Sequence, residues 1–152
     1  MIRDLTAADL PAIKRVIDAT GLFPSEMIDS MAAAWLERTA AGEFWLVTAT
    51  DVEPVGVAYC APERMTDGAW NLYLIAVHPD AQRQGRGAAL IRRVEQRVLA
   101  GGGRILLIET SGLGSFAGQR SFYESLGYRE EARIHDFYQA GEDKVVFWKA
   151  LA

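Results

Sequence analysis

A chain of 152 residues that is 50% apolar and 24% charged, with a formal net charge of −4, has the make-up of one folded domain able to bury roughly 70% of its unfolded surface, and is not that of a disordered chain. It lacks any run approaching the roughly 20 apolar residues of a membrane span, and Met1-Ile2-Arg3-Asp4 does not begin a signal peptide, so a cytoplasmic protein without membrane partners is expected. One cysteine, Cys60, excludes an internal disulfide; His78 and His135 stand apart, so no metal centre is expected, and the acidic balance argues against a nucleic-acid partner.

Ile2 to Leu5 reads as a short strand, and Thr6 as the N-cap of a helix with Leu10, Ile13, Val16 and Ile17 on one face, ended by Gly21. A second helical pattern runs from Ser25 through Met27, Ile28, Met31 and Trp35 to Gly42, and most of the Phe23, Met27, Met31, Trp35 stripe should be core. The period then changes. Phe44 to Thr50 and Pro54 to Ala61 form a hairpin pair, and Ala69 to Val77 a third strand halted by His78-Pro79-Asp80. A glycine-bearing loop opens a helix from Gly85 to Ala100, closed by Gly101-Gly102-Gly103. Ile105-Leu106-Leu107-Ile108 has the unbroken apolar character of a parallel strand buried on both faces, which completes a βαβ unit. A helix around Phe116 to Leu126, capped by Gly127, precedes two closing strands, Glu130 to Tyr138 and Lys144 to Leu151. The expected fold is therefore α/β (α+β): one domain spanning residues 1–152, with a mixed, mostly antiparallel twisted sheet of about seven strands around the βαβ unit and helices on both faces.

The informative stretch is His78 to Leu90. Gly85 and Gly87 remove side chains that would keep a ligand off the backbone, and the first N–H groups of the helix have no intrahelical partner. With the helix dipole, Arg83 and Arg86 beside them, and Arg92, Arg93, Arg97 and Arg104 further on, this end suits an anion such as a phosphate group; arginines on a helix are also commonly a solvated surface. A P-loop is excluded, because Ala88-Ala89 follow Gly87 where Lys and Ser/Thr are needed. A dinucleotide turn fits poorly: Glu109 lies about 20 residues on, as a ribose-binding acid should, but Leu90 takes the third glycine position and the loop before Gly85 is long. A diphosphate held by a looser loop, as in coenzyme A, remains.

Gln82-Arg83-Gln84-Gly85-Arg86-Gly87 resembles the Q/R-x-x-G-x-G/A signature of the GNAT superfamily of acyl-CoA-dependent N-acetyltransferases. The Ile-Ala-Val-His-Pro-Asp strand end before it, the Ile-Leu-Leu-Ile-Glu-Thr strand after it and Phe122 to Tyr128 follow in the family's order, so the likeness runs from Asn71 to Tyr128. It implies that acetyl-CoA is the cofactor. The backbone of Gln82, Arg83, Gln84, Gly85, Arg86, Gly87 and Ala88 would cradle its pyrophosphate, and Ile75, Ala76 and Val77 would bond the pantetheine arm and thioester.

By residue type alone Tyr123 reads as a core aromatic beside Phe122; the resemblance makes it the general acid that protonates the departing thiolate. Deprotonating an amine of pKa about 10.4 at pH 7 costs roughly 4–5 kcal/mol, so a base or water relay is useful. Glu109 is the nominee, its alternative being a strand-end carboxylate bonded to the Ser111-Gly112 loop. Asn71, Tyr73, Asp136 and Tyr138 are further polar candidates, and Phe116 and Gln119 stand where many members carry Asn and Ala.

The expected activity is direct acetyl transfer, in a ternary complex, to a primary amine of a small molecule or peptide. A non-catalytic CoA-binding regulatory module is the alternative. Dimerisation, common in the family, would draw on exposed aromatics of the last strands such as Phe147 and Trp148.

Overall fold

The computed structural model describes residues 1–39 and 41–151. In chain order the elements are β1 (Ile2–Asp4), α1 (Leu10–Thr20), α2 (Met27–Leu36), β2 (Phe44–Ala49), β3 (Pro54–Pro62), β4 (Ala69–Val77), α3 (Arg86–Ala100), β5 (Ile105–Ser111), α4 (Ala117–Ser125), β6 (Arg129–Gln139) and β7 (Glu142–Ala150). The strands form one mixed sheet in the order β1-β2-β3-β4-β5-β7-β6, with β4 and β5 parallel, as the βαβ reading requires. Contacts divide the chain into two compact units, Met1–Ala61 with Tyr73–Gln96, and Pro62–Leu72 with the segment from Arg97 onward.

In the first unit, β2 and β3 pair antiparallel from Phe44↔Cys60, and the hairpin closes because the Thr50 hydroxyl accepts from the N–H groups of Val52 and Glu53 (both 3.2 Å). Side chains alternate across a strand, so Trp45 and Val47 share one face, where they join Val57, Leu74 and Ala76 under Ile13, Val16 and Ile17 of α1 and Ile28 and Ala32 of α2. Thr48 lies on the other face, where Arg86 at the head of α3 reaches it. Helices thus flank both sides of these strands. Phe23, Met31 and Trp35 pack against this core as expected, while Met27 is exposed.

Thr6 does not cap α1 directly. A single 3-10 turn, Ala7–Asp9, comes first, and the buried Asp9 carboxylate accepts from the Thr6 N–H (2.9 Å) and hydroxyl (3.1 Å) and from both terminal nitrogens of Arg3 (2.7 and 2.8 Å). The Arg3 guanidinium hydrogen bonds are the main reason that the Asp9 carboxyl is held below the usual carboxylate range. Helix α2 is shorter at both ends than its apolar pattern. At its C-terminus Arg38 turns left-handed (φ 57°) and the Thr39 N–H closes onto the Ala34 carbonyl (2.9 Å), which stops the helix well before Gly42.

In the second unit, β5 continues past the apolar run. Glu109, Thr110 and Ser111 stay paired with Val146, Val145 and Lys144 of β7, so Glu109 is not the strand's last residue. Leu106, Ile108, Val145, Phe147, Tyr123 and Tyr128 are buried, whereas β6, at the sheet edge, is exposed along its whole length. Phe147 is therefore core rather than exposed, and the Arg129 guanidinium covers the Trp148 ring at 4.6 Å. Trp148 itself is half-buried.

Candidate active site

The candidate residues fall into two groups, one in each unit. In the first, β4 delivers the chain to the glycine loop. The His78 N–H bonds the Val55 carbonyl (2.8 Å), and Pro79–Ala81 make one 3-10 turn in which His78 Nδ1 accepts from the Asp80 N–H (3.1 Å). His78 is thus a turn-forming residue. The Gln82 side-chain amide donates to the Val77 carbonyl (2.8 Å), so that carbonyl already has a partner. Ala76 and Val77 are buried and Ile75 half-buried, with Gly56 beside them: a Cβ on Gly56 would stand 2.7 Å from Thr48 Cγ2 and 3.1 Å from the Ala76 carbonyl oxygen.

Arg83 (φ 63°) and Gly85 (φ 77°) both adopt left-handed backbone, which winds the loop before α3 begins at Arg86. Gln82, Arg83, Gln84 and Gly85 are exposed, and nothing lies within 4 Å of where a Gly85 Cβ would be. The first helical closure is the Ala89 N–H onto the Gly85 carbonyl (3.0 Å), so the N–H groups before it, those of Arg86, Gly87 and Ala88, belong to the first turn. An open backbone at a helix N-terminus is what a pyrophosphate requires, and these residues fit one. Arg83 points to solvent, whereas Arg86 is half-buried: one terminal nitrogen lies 3.5 Å from the Thr48 hydroxyl, and its Nε is buried without a partner. Arg92 and Arg93 are solvated, and Arg104 donates from Nε to the Asp67 carbonyl (2.6 Å), so Arg104 fixes a turn and adds nothing to the loop.

In the second unit, the Glu109 side chain is 25% exposed and both its oxygens are engaged. Oε1 accepts from Lys144 Nζ (2.9 Å) and Oε2 from Asn71 Nδ2 (3.0 Å). Strand register explains both. Lys144 stands opposite Ser111 and Asn71 opposite Leu107, each two residues from Glu109 on β5, which makes both pairs diagonal neighbours on one face. The expected alternative, Glu109 bonded to the Ser111-Gly112 loop, gives way to these partners. The other proton of the Asn71 amide goes to Glu63 Oε1 (2.9 Å), and the Lys144 ammonium also lies 4.0 Å from the centre of the Phe137 ring.

Tyr123, on α4, is 6% exposed and packs edge-on to Phe147 at 5.7 Å. Burial pushes its phenol up to about 12. Of the other candidates, Tyr138 is half-exposed, with its phenol raised by burial first and by the Glu109 charge next. Asp136 has left-handed backbone (φ 56°) and accepts from the Gly141 N–H (2.9 Å), a turn role. His135 lies 3.3 Å from the Asp143 carboxylate, and Tyr73 stacks on Tyr59 at 5.7 Å. Glu63 and Lys144 escaped the sequence reading, because no local signal says which residues a strand's neighbours will bring.

The Acetyltransferase (GNAT) domain family matches residues 40–130. The chain is 31% identical over 140 residues to the [ribosomal protein bS18]-alanine N-acetyltransferase of Escherichia coli K12, covering 90% of this chain and 86% of that one. A GNAT-family structure from Desulfovibrio desulfuricans superposes with a TM-score of 0.93 at 34% identity, covering 100% and 99% of the two chains. An aminoglycoside 6'-N-acetyltransferase complexed with coenzyme A shares the fold at a TM-score of 0.79 and 19% identity, with coverage of 100% and 97%. The chain belongs to the GNAT family of acetyltransferases. It is an acyl-CoA-dependent acetyltransferase with acetyl-CoA as its donor.

Proposed function

We propose that the whole chain acts as a single N-acetyltransferase domain in the cytoplasm, moving the acetyl group of acetyl-CoA to a primary amine by direct attack in a ternary complex. Acetyl-CoA supplies the thioester. The first-turn backbone of α3, from Gln82 to Ala88, holds the pyrophosphate, and the end of β4 at Ile75, Ala76 and Val77 orders the pantetheine arm. Glu109 receives the acceptor's proton, directly or through water, and Tyr123 returns a proton to the departing thiolate. The observation that carries this reading is geometric: the Glu109 carboxylate is fixed at both oxygens and a quarter exposed, in the same unit as the buried Tyr123 on α4.

The acceptor is a small-molecule or peptide amine. A peptide with N-terminal alanine is the first to test, because the Escherichia coli relative is an alanine N-acetyltransferase. The experiment is thiol release from acetyl-CoA across a panel containing that peptide, a lysine peptide and small primary amines. At least one acceptor should give release above the hydrolysis background, with N-acetylated product by mass; release with none, at millimolar acetyl-CoA, would refute the reading.

A further inference from the structure

Asn71 is 1% exposed, on the stretch of β4 that pairs with β5, and its amide nitrogen spends both protons on carboxylates, Glu63 Oε1 at 2.9 Å and Glu109 Oε2 at 3.0 Å. The orientation of the amide is fixed by charge. Turned over, its carbonyl oxygen would face two carboxylates with no proton between them, whereas the NH2 group supplies one donor to each. Glu63 is itself anchored, since its N–H bonds the Ala69 carbonyl (2.8 Å) two residues before Asn71. The Asn71 carbonyl oxygen is buried without a donor, a desolvation cost that an apolar residue would avoid. An asparagine tolerated at that cost on a buried strand calls for a compensating role.

We propose that Asn71 is a positioning residue for Glu109, and that Glu63 acts through it by holding the amide in the donating orientation. The proposal rests on the reading of Glu109 as the group that takes the acceptor's proton. Lys144 fixes one oxygen of that carboxylate and Asn71 the other, so the plane of the carboxylate is set. Releasing Oε2 lets the carboxylate swing about its bond to the Lys144 side, and a displacement of about 1 Å at a reacting group lowers rate by as much as 10²-fold.

The test uses the full chain and the acceptor amine returned by the panel above. Asn71→Leu keeps the side chain's branching and number of heavy atoms and removes both donors; kcat should fall about 10- to 100-fold with KM for acetyl-CoA within about twofold of wild type. Glu63→Gln still accepts the amide proton and should keep at least about half of the wild-type kcat, while Glu63→Ala, which frees that proton, should lose several-fold. Should Asn71→Leu fail to fold, as judged by its melting curve, the two Glu63 variants decide alone. A folded Asn71→Leu enzyme with wild-type kcat, or equal rates for Glu63→Gln and Glu63→Ala, would overturn the proposal. Wild-type chain inactive on every amine removes the enzymatic reading and this proposal with it; active wild type with indifferent variants removes this proposal alone.

Discussion

At the scale of single residues, the candidate chemistry depends on where each charge is solvated and where it is paired. Tyr123 would be an ordinary core aromatic but for its family position, and its burial beside Phe122 and Phe147 raises the phenol above its ordinary value. Replacing it by Phe preserves that packing and removes only the hydroxyl. Turnover should fall by about 10²-fold, in the range for losing a general acid, with acetyl-CoA affinity unchanged by calorimetry. Asp9 shows the same logic applied to stability. Its folded-state carboxyl lies below the ordinary value of about 3.9, chiefly through Arg3, so its contribution is complete above that ordinary value and is lost as the pH falls through the depressed one. Asp9→Asn should therefore cost about 1–2 kcal/mol at pH 7, discounted for the solvent-facing Arg3, and the difference from wild type in urea unfolding should shrink steadily below about pH 4.

At the scale of elements, the loop before α3 is where backbone conformation and the proposed pyrophosphate site meet. Gly85 holds φ 77° with open space above its α-carbon, so any side chain there is strained and stands in the approach to the first-turn N–H groups. Gly85→Ala should destabilise the fold by only about 1–2 kcal/mol while raising KM for acetyl-CoA about tenfold or more. Melting temperature and steady-state kinetics, measured together, separate the two effects. Much of this element was legible in sequence, since the Gln82 to Gly87 spacing marks both the turn and the helix start. The arginines were less legible. Arg104 and Arg86 carry the same charge as Arg83, but one fastens a turn and the other leans on Thr48, which charge counting does not reveal. The end of α2 was equally hidden, because the left-handed turn is made by Arg38, a residue with no propensity for it.

At the scale of the whole molecule, acetyl-CoA should bind the folded chain and not the unfolded one. At 100 times its dissociation constant that adds about 2.7 kcal/mol of stability, which for a chain of this size raises the melting temperature by roughly 5–10 °C. A calorimetric melt with and without acetyl-CoA measures it, and the absence of any shift at saturating concentration would count against binding. Among the described residues no helix is long and apolar enough to cross a membrane.

The sequence by itself determined the order of elements, the parallel βαβ unit, the glycine loop and the family, because these rest on hydrophobic period, on turn residues and on motifs contiguous in the chain. Tertiary structure alone decided which residues surround Glu109. Asn71 and Lys144 come to it from β4 and β7, far along the chain, through strand register, and register is fixed by the packing of whole faces rather than by any short pattern. It likewise enclosed Phe147, which alternation along one strand could assign to either face, and left β6 exposed in its place. Local pattern is written in neighbours along the chain; the environment of a carboxylate is written in neighbours across the sheet.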